Sequence, residues 1–469
     1  MKRPVPPERN GPDLPRAIRQ GTYGTKGWSR VRKFKFFPVF MLAAALLGAQ
    51  DAPTLEKRRD VIRYGIESEL LELVAALQTE KEDALNPELL ALLAETRSPR
   101  LREAVLKFFA VREWPGAVSA AVGILDARDQ EPAQSVNAAL GYLSAVKAKD
   151  GIPEAREILD SRESKYLSAA VRLLGRAGGN EETALLLGLY DSDDATDALR
   201  QDVIQALGEI GAQGAVESLM ETLDDTSGKK ATRMFSAEAL GKIKDARAVP
   251  ALVRAANGED PQVRGAAIAA LGSFTGAEAE GAIVQGLRDS VPAVRLAAIK
   301  AAAALSIRDA EPFVRFRARN DPDRKVKDES IKALGALGGR ENLQFLRDLL
   351  QDKKADAPSR AAAFAVLLER DAGGSRGDLE KVLAAEASSK DTTLLKAFQR
   401  ALVTGTDKAS APLVETYLLG SPDFGTRIAG IDWARRNKVG SLRPAIAAMA
   451  ESDKVESVRN RAAAALADL

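Results

Sequence analysis

The chain has 469 residues, 45% hydrophobic and 29% charged, with aromatics at only 5% and neither histidine nor cysteine. That balance is globular, and the two absences exclude Ser-His-Asp and Cys-His catalysis, His- or Cys-built zinc sites, Cys-ligated clusters and disulfides made from this chain's own side chains. The formal charge of +2 hides a split: residues 1–49 carry ten Lys and Arg against two acids, while the other 420 residues carry 58 cations against 64 anions. The main body is therefore mildly acidic and offers no global footprint for nucleic acid or anionic lipid.

In chain order, residues 1–35 form a basic, Pro/Gly-rich leader with no apolar period before Arg30, which predicts disorder. Its length points to a start codon assigned too far upstream, with Val31 as the alternative start. Residues 36–49, FFPVFMLAAALLGA, are an uncharged run behind the basic Arg30-Val-Arg-Lys-Phe-Lys35. A basic stretch, an apolar core and small residues at its end predict a secretory signal peptide cleaved between Ala49 and Gln50. The run falls short of the ~20 residues that span a bilayer, so no membrane span is expected once it is removed. The expected location is the periplasm.

Residues 50–469 read as a single array of helices and short breaks, without strand-like alternation. Its main feature is self-similarity. Arg200–Gly208, Arg233–Gly241, Arg264–Gly272 and Lys327–Gly335 each begin with a cation and end in Leu-Gly. The same frame fits Ala133–Gly141, Leu167–Gly175, Arg295–Ala303, Arg360–Leu368, Arg427–Arg435 and Arg459–Ala467 more loosely. A spacing of about 32 residues with two helices per unit predicts an all-α solenoid, a right-handed superhelix of about thirteen helix pairs. Ile268, Ile299, Ile331 and Phe364 occupy one matching position and are predicted core. Prolines open the second helix of several units (Pro153, Pro250, Pro312), where a missing N–H costs least.

Residues 260–272, Asp-Pro-Gln-Val-Arg-Gly-Ala-Ala-Ile-Ala-Ala-Leu-Gly, resemble the HEAT repeat in its short bacterial, PBS-lyase-like form. The resemblance is good from about 195 to 340 and weaker over 50–130 and 370–440, where Gly373-Gly374-Ser-Arg-Gly377 is expected to form a longer loop. It implies that the repeated cations form an internal ladder with turn acids of adjacent repeats: Arg200, Arg233, Arg264, Arg295, Arg360 and Arg427 with Asp260, Asp289, Asp321 and Asp423. Arg102, Lys327 and Arg459 belong to the same series. Two enzyme groups share the repeat. Deoxyhypusine hydroxylase-like proteins need His-Glu iron sites, which this chain cannot build; bilin-lyase-like chromophore handling is the leading alternative function and would be cytoplasmic.

Five positions after the cation lie Arg172, Gln205, Glu238, Lys300 and Lys332, with Ala269, Ala365 and Asp432 in the same series. Their mixed signs disfavour a phosphate-tracking groove and fit a protein or peptide partner on a concave face. The acids of Asp191-Ser-Asp-Asp-Ala-Thr-Asp197 lack the EF-hand order and read as capping residues of a turn, with a Ca²⁺-dependent envelope assembly factor as a third reading. The basic cluster from Arg315 to Lys327 reads as a solvated turn. The function expected is a non-catalytic, exported scaffold in the bacterial envelope, with no cofactor, no metal and no nucleic acid.

Overall fold

The computed structural model describes residues 54–80, 83–193 and 195–469. The leader, the apolar run at 36–49 and the Ala49 cleavage point lie outside the described residues. The chain divides into two compact units at Lys57/Arg58, and the helical array belongs to the second. The described residues contain 26 α-helices, α1 to α26 in chain order, and no strand. They form thirteen pairs, as the repeat spacing predicts. None of these helices is long and apolar enough to cross a membrane.

The even-numbered helices pack side by side in one layer: α4 (Pro99–Val111), α6 (Ala133–Ala145), α8 (Leu167–Ala177), α10 (Asp197–Ile210), α12 (Lys230–Ile243), α14 (Pro261–Leu271), α16 (Pro292–Leu305), α18 (Arg324–Leu337), α20 (Ala357–Arg370), α22 (Thr393–Thr404) and α24 (Phe424–Arg436). The odd-numbered helices from α3 to α21, and α25, form a second layer, each packed on the even helix that follows it. Ile268, Ile299, Ile331 and Phe364 sit at one level of α14, α16, α18 and α20 and are completely enclosed. Burying each contributes roughly 1.5–3 kcal/mol, and none could be buried by one pair alone.

The Leu-Gly ending has a packing reason. A methyl group on Gly175 would lie 2.7 Å from the Ala206 Cα of the next even helix, and one on Gly241 would lie 2.9 Å from the Ala270 Cα. Glycine facing alanine is what lets these backbones touch. The rule also corrects one frame. In α6, Leu143 is the buried leucine at this level, and the small residue after it is Ser144, whose hydroxyl donates to the Arg172 carbonyl of α8 at 3.2 Å. Ala133–Gly141 is thus three residues out of register, and Gly141 belongs to the exposed side of its helix.

The longer loop expected at 373–377 is also a different structure. Helix α21 starts at Arg376, and the turn before it is closed by buried Ser375, which donates to Asp371 at 2.7 Å while Arg347 donates to Ser375 Oγ at 3.0 Å and to Asp371 at 2.5 Å. A polar network does there what length was expected to do.

Candidate partner-binding face

Two sets of repeated side chains grow out of the even helices, and the structure separates them. The first is internal. Arg264, in the first turn and a half of α14, donates from Nε and Nη2 to both oxygens of Asp289 at 2.8 and 3.0 Å, and from Nη1 to the carbonyls of Gly258 and Glu259. Arg295 repeats the arrangement one unit on, reaching Asp321 at 2.8 and 2.7 Å and the carbonyls of Asp289 and Ser290. Arg427 does the same with Asp453 at 2.8 and 2.9 Å. Each guanidinium ties its own turn to that of the following repeat. Burial pushes the Asp289 carboxyl up, but the Arg264 hydrogen bonds and the Val291 N–H outweigh it and leave the group below the usual carboxylate range. For Asp453, the Arg427 hydrogen bonds hold the carboxyl down.

Other members of the series differ from the expected pairing. Arg360 meets Glu386 at 3.1 Å, and Lys327 meets Asp356 at 3.2 Å. Arg102 is paired with Glu131. Arg200 donates to the Tyr190 and Ser192 carbonyls and Arg233 to that of Leu223; among the described residues neither has an acid partner. Asp260 does not receive a guanidinium. It caps α14 through the N–H groups of Gln262 and Val263 and takes Lys230 at 2.8 Å. Asp423 caps α24 through Thr426, whose N–H and hydroxyl both donate at 2.8 Å. An acid one residue before a helix finds its own orphan N–H groups nearer than any neighbour's arginine. The acid that does receive the cation lies 25 or 26 residues after it, at the next repeat's turn, a spacing legible once the period is known.

The second set is external. Arg172, Gln205, Glu238, Lys300 and Lys332 are all exposed, one on each of α8, α10, α12, α16 and α18, with exposed Ala269 on α14 between them. Arg172 is engaged, donating to both oxygens of Asp202 on α10 at 3.2 Å. Among the described residues, Gln205, Glu238, Lys300 and Lys332 make no hydrogen bond or ion pair with the rest of the fold. Four residues further along each helix, and so on the same side, stand Arg176, Glu209 and Lys242, which no repeated motif had marked. Lys242 donates to Glu209 at 2.6 Å, and with Arg176 and Lys147 adding their charge it holds that carboxyl below its ordinary value.

Corrected for register, Lys107 of α4 and Gly141 of α6 extend the same row. Beside Gly141 lies a hollow of about 390 Å³ with an apolar floor that includes Tyr142, and Glu103, Lys107, Gln134 and Asn137 around it. Tyr142 is fixed from behind, its hydroxyl donating to the Trp114 carbonyl at 2.8 Å and accepting from Ala117 N–H at 3.1 Å. The missing side chain at Gly141 leaves the hollow open. Sequence reasoning could have found it only by shifting the α6 frame by three.

Among the described residues, no group of acids at 191–197 could hold a metal ion. Thr196 caps α10, and Asp197 is paired with Lys229; Asp194 lies outside the described residues.

A family described as Spirochaete HEAT repeat protein matches residues 62–465. No curated protein matches the chain's sequence. Among solved structures, yeast importin-beta is similar at 14% identity over 88% of this chain and 65% of its own, with a TM-score of 0.52. The complex of CpcE and CpcF of phycocyanin lyase from Nostoc is similar at 20% identity over 61% of this chain and 94% of its own, with a TM-score of 0.32. YibA of E. coli is similar at 21% identity over 55% and 97%, with a TM-score of 0.36. The chain spans about half the length of another similar structure, Kap121p, at 51%. At these identities the likeness speaks to the solenoid fold alone.

Proposed function

The chain belongs to the spirochaete HEAT repeat family, and we propose that it is a non-catalytic scaffold holding a protein or peptide partner along the exposed side of its even-numbered helices. The observation that carries this reading is the row itself. Gln205, Glu238, Lys300 and Lys332 recur on helices whose recurrent apolar residues serve packing and whose leading cations bind turn acids or carbonyls, yet they contribute nothing to either. A recurrent polar side chain with no internal partner is free for an external one. The Gly141 hollow supplies an apolar anchor at one end, and the mixed signs along the row set register and on-rate for a partner of complementary polarity. The reading extends to the envelope of a double-membrane bacterium on the strength of the apolar run at 36–49, with the mature chain starting near Gln50.

Reversing Lys300 and Lys332 to Glu tests it. Crosslinked capture of the native partner from envelope extract should weaken, most clearly at low salt, while the melting temperature holds. Reversal of Lys353 and Lys354, exposed in the turn before α20, should change capture little. If the turn pair proves the more damaging, the working surface is a repeat edge and the assignment fails. In the same extract, mass spectrometry should find a terminal peptide beginning near Gln50, and intact peptides from residues 2–30 would sink the export reading.

A further inference from the structure

The odd-numbered layer carries a surface of a different kind. Helix α17 (Glu311–Asn320) reads Glu-Pro-Phe-Val-Arg-Phe-Arg-Ala-Arg-Asn, and it lies between α15 (Ala277–Gly286) and α19 (Gly339–Gln351). Three phenylalanines meet three guanidiniums across these helices. Arg288, just past α15, lies 4.5 Å over the Phe313 ring; Arg317 lies 5.5 Å from Phe316; Arg319 lies 5.3 Å from Phe345 of α19. In a chain with only 14 phenylalanines, Phe316 is 57% exposed, although a ring of that size gains most when it is taken out of water. Between α17 and α19 is a hollow of about 530 Å³, which reaches α17 at Arg315, next in sequence to Phe316, and is otherwise lined by Arg340, Glu341, Gln344, Phe345 and Asp348.

The guanidiniums here divide into two groups. Arg317 is used by the fold, donating to the Leu287 carbonyl at 2.8 Å, and Arg315 is used too, donating to Asn342 at 2.7 Å. Among the described residues, Arg288, Arg319 and Arg340 have no acid and no hydrogen-bond partner. Arg288 and Arg319 are held by a ring instead, which pins a guanidinium without occupying its N–H edge. Each can therefore donate two parallel hydrogen bonds to a carboxylate with little further ordering. The five arginines Arg288, Arg315, Arg317, Arg319 and Arg340 outnumber the four acids around them, Glu311, Asp321, Glu341 and Asp348, against a body that is net acidic.

We propose that this Arg-Phe surface on α15, α17 and α19 is a second docking site, whose occupant is an acidic peptide segment of a protein partner carrying a large apolar side chain. Charge complementarity selects the acidic segment: carboxylates meet the free edges of Arg288, Arg319 and Arg340, and the apolar side chain covers Phe316 and enters the neighbouring hollow. Aromatic and arginine anchors of this sort dominate the energetics of protein interfaces. The site is independent of the even-helix face, because it lies on the other layer.

The test uses the full chain and a fluorescein-labelled probe, Glu-Glu-Phe-Glu-Glu-Leu-Glu-Glu, read by fluorescence anisotropy. The probe should bind, and Phe316→Ala and Arg319→Gln should each weaken it about tenfold with the melting temperature retained, since both side chains are exposed. Reversing Lys300 and Lys332 should leave probe binding unchanged. Absence of binding, or equal binding of the peptide with Lys for every Glu, overturns the proposal. Competition by phosphatidylserine vesicles that themselves bind through Phe316 overturns it in favour of a membrane surface. Loss of the probe on Lys300/Lys332 reversal alone also overturns it, and leaves the even-helix reading standing.

Discussion

The stretch from α8 to α16 and the junction between α20 and α22 solve the same stacking problem with different side chains. In the first, glycine at the end of one even helix meets alanine in the next, and the backbones touch. In the second, the same level holds Leu368 and Leu402, both buried, and Leu368 reaches across to Gly405. The level where α14 carries Arg264 and α16 carries Arg295 is occupied in α22 by buried Leu394. This joint is filled by a stacked pair, Phe364 against Phe398, with centroids 4.4 Å apart. Just beyond, the short α23 (Ala411–Val414) runs on as a π-helix over Glu415–Leu419, and Gln399 donates to the Tyr417 carbonyl at 2.9 Å. A π-turn frees a backbone carbonyl that a side chain must then satisfy. One small or large residue per repeat thus changes how the helices meet, and the α20–α22 joint adds an aromatic plug to an ionic tie of the ladder kind, Arg360 to Glu386 at 3.1 Å.

Two substitutions with the largest expected effects bear on that contrast. Phe398→Ala should cost about 3–5 kcal/mol by opening a cavity in the plug, seen in thermal or denaturant unfolding. Asp321→Ala should cost about 3–5 kcal/mol by stranding the Arg295 guanidinium where it is only 4% exposed. The two should part company on repair. Adding Arg295→Met to Asp321→Leu should recover most of the loss, because removing both charges also removes their desolvation cost. If the double variant is no better than Asp321→Ala alone, the tie is a packing feature and the distinction between the two joints collapses.

The smallest expected effect lies between the two regions, at the turn joining α19 to α20. Burial raises the Asp356 carboxyl, yet the Ser359 N–H and hydroxyl, Lys327 and Arg324 more than offset this and bring its pKa from 3.8 to about 2. A depressed folded pKa means stability that is present above the unfolded value and lost as pH falls from about 3.8 toward 2. Asp356 is 42% exposed, so solvent screening keeps the contribution under about 1 kcal/mol. Melting followed from pH 5 to pH 2 should fall less steeply in Asp356→Asn than in the unaltered chain. Parallel curves would show that this turn contributes no carboxylate tie.

Much of the architecture was legible before any coordinate. Periodic cations, Leu-Gly endings and turn prolines are each dictated by local chemistry, and repetition multiplied a weak local signal into helix pairs of the right number. The partner acids were less legible. Asp260 and Asp423 lie beside their arginines in sequence but are captured by their own helix ends, while Asp453 and Glu386 belong to the next unit. The α6 frame slipped because Ala-Leu-Gly at 139–141 copies the motif while the burial pattern follows Leu143-Ser144.

That this chain is a helical repeat follows from residue order alone, because periodicity is a property of that order and each repeat carries its own capping and core chemistry. What each repeated side chain is for depends instead on the packing of one repeat against the next. An arginine binds inward or faces solvent according to where the neighbouring turns place their acids and carbonyls, as Arg264 and Arg295 reach Asp289 and Asp321 while Arg319, among the described residues, meets no acid, and a glycine is a contact or an open hollow according to what the neighbouring helix places opposite. Lys300, Lys332, Phe316 and Arg319 were set apart in that way, through distances between repeats that no single repeat encodes.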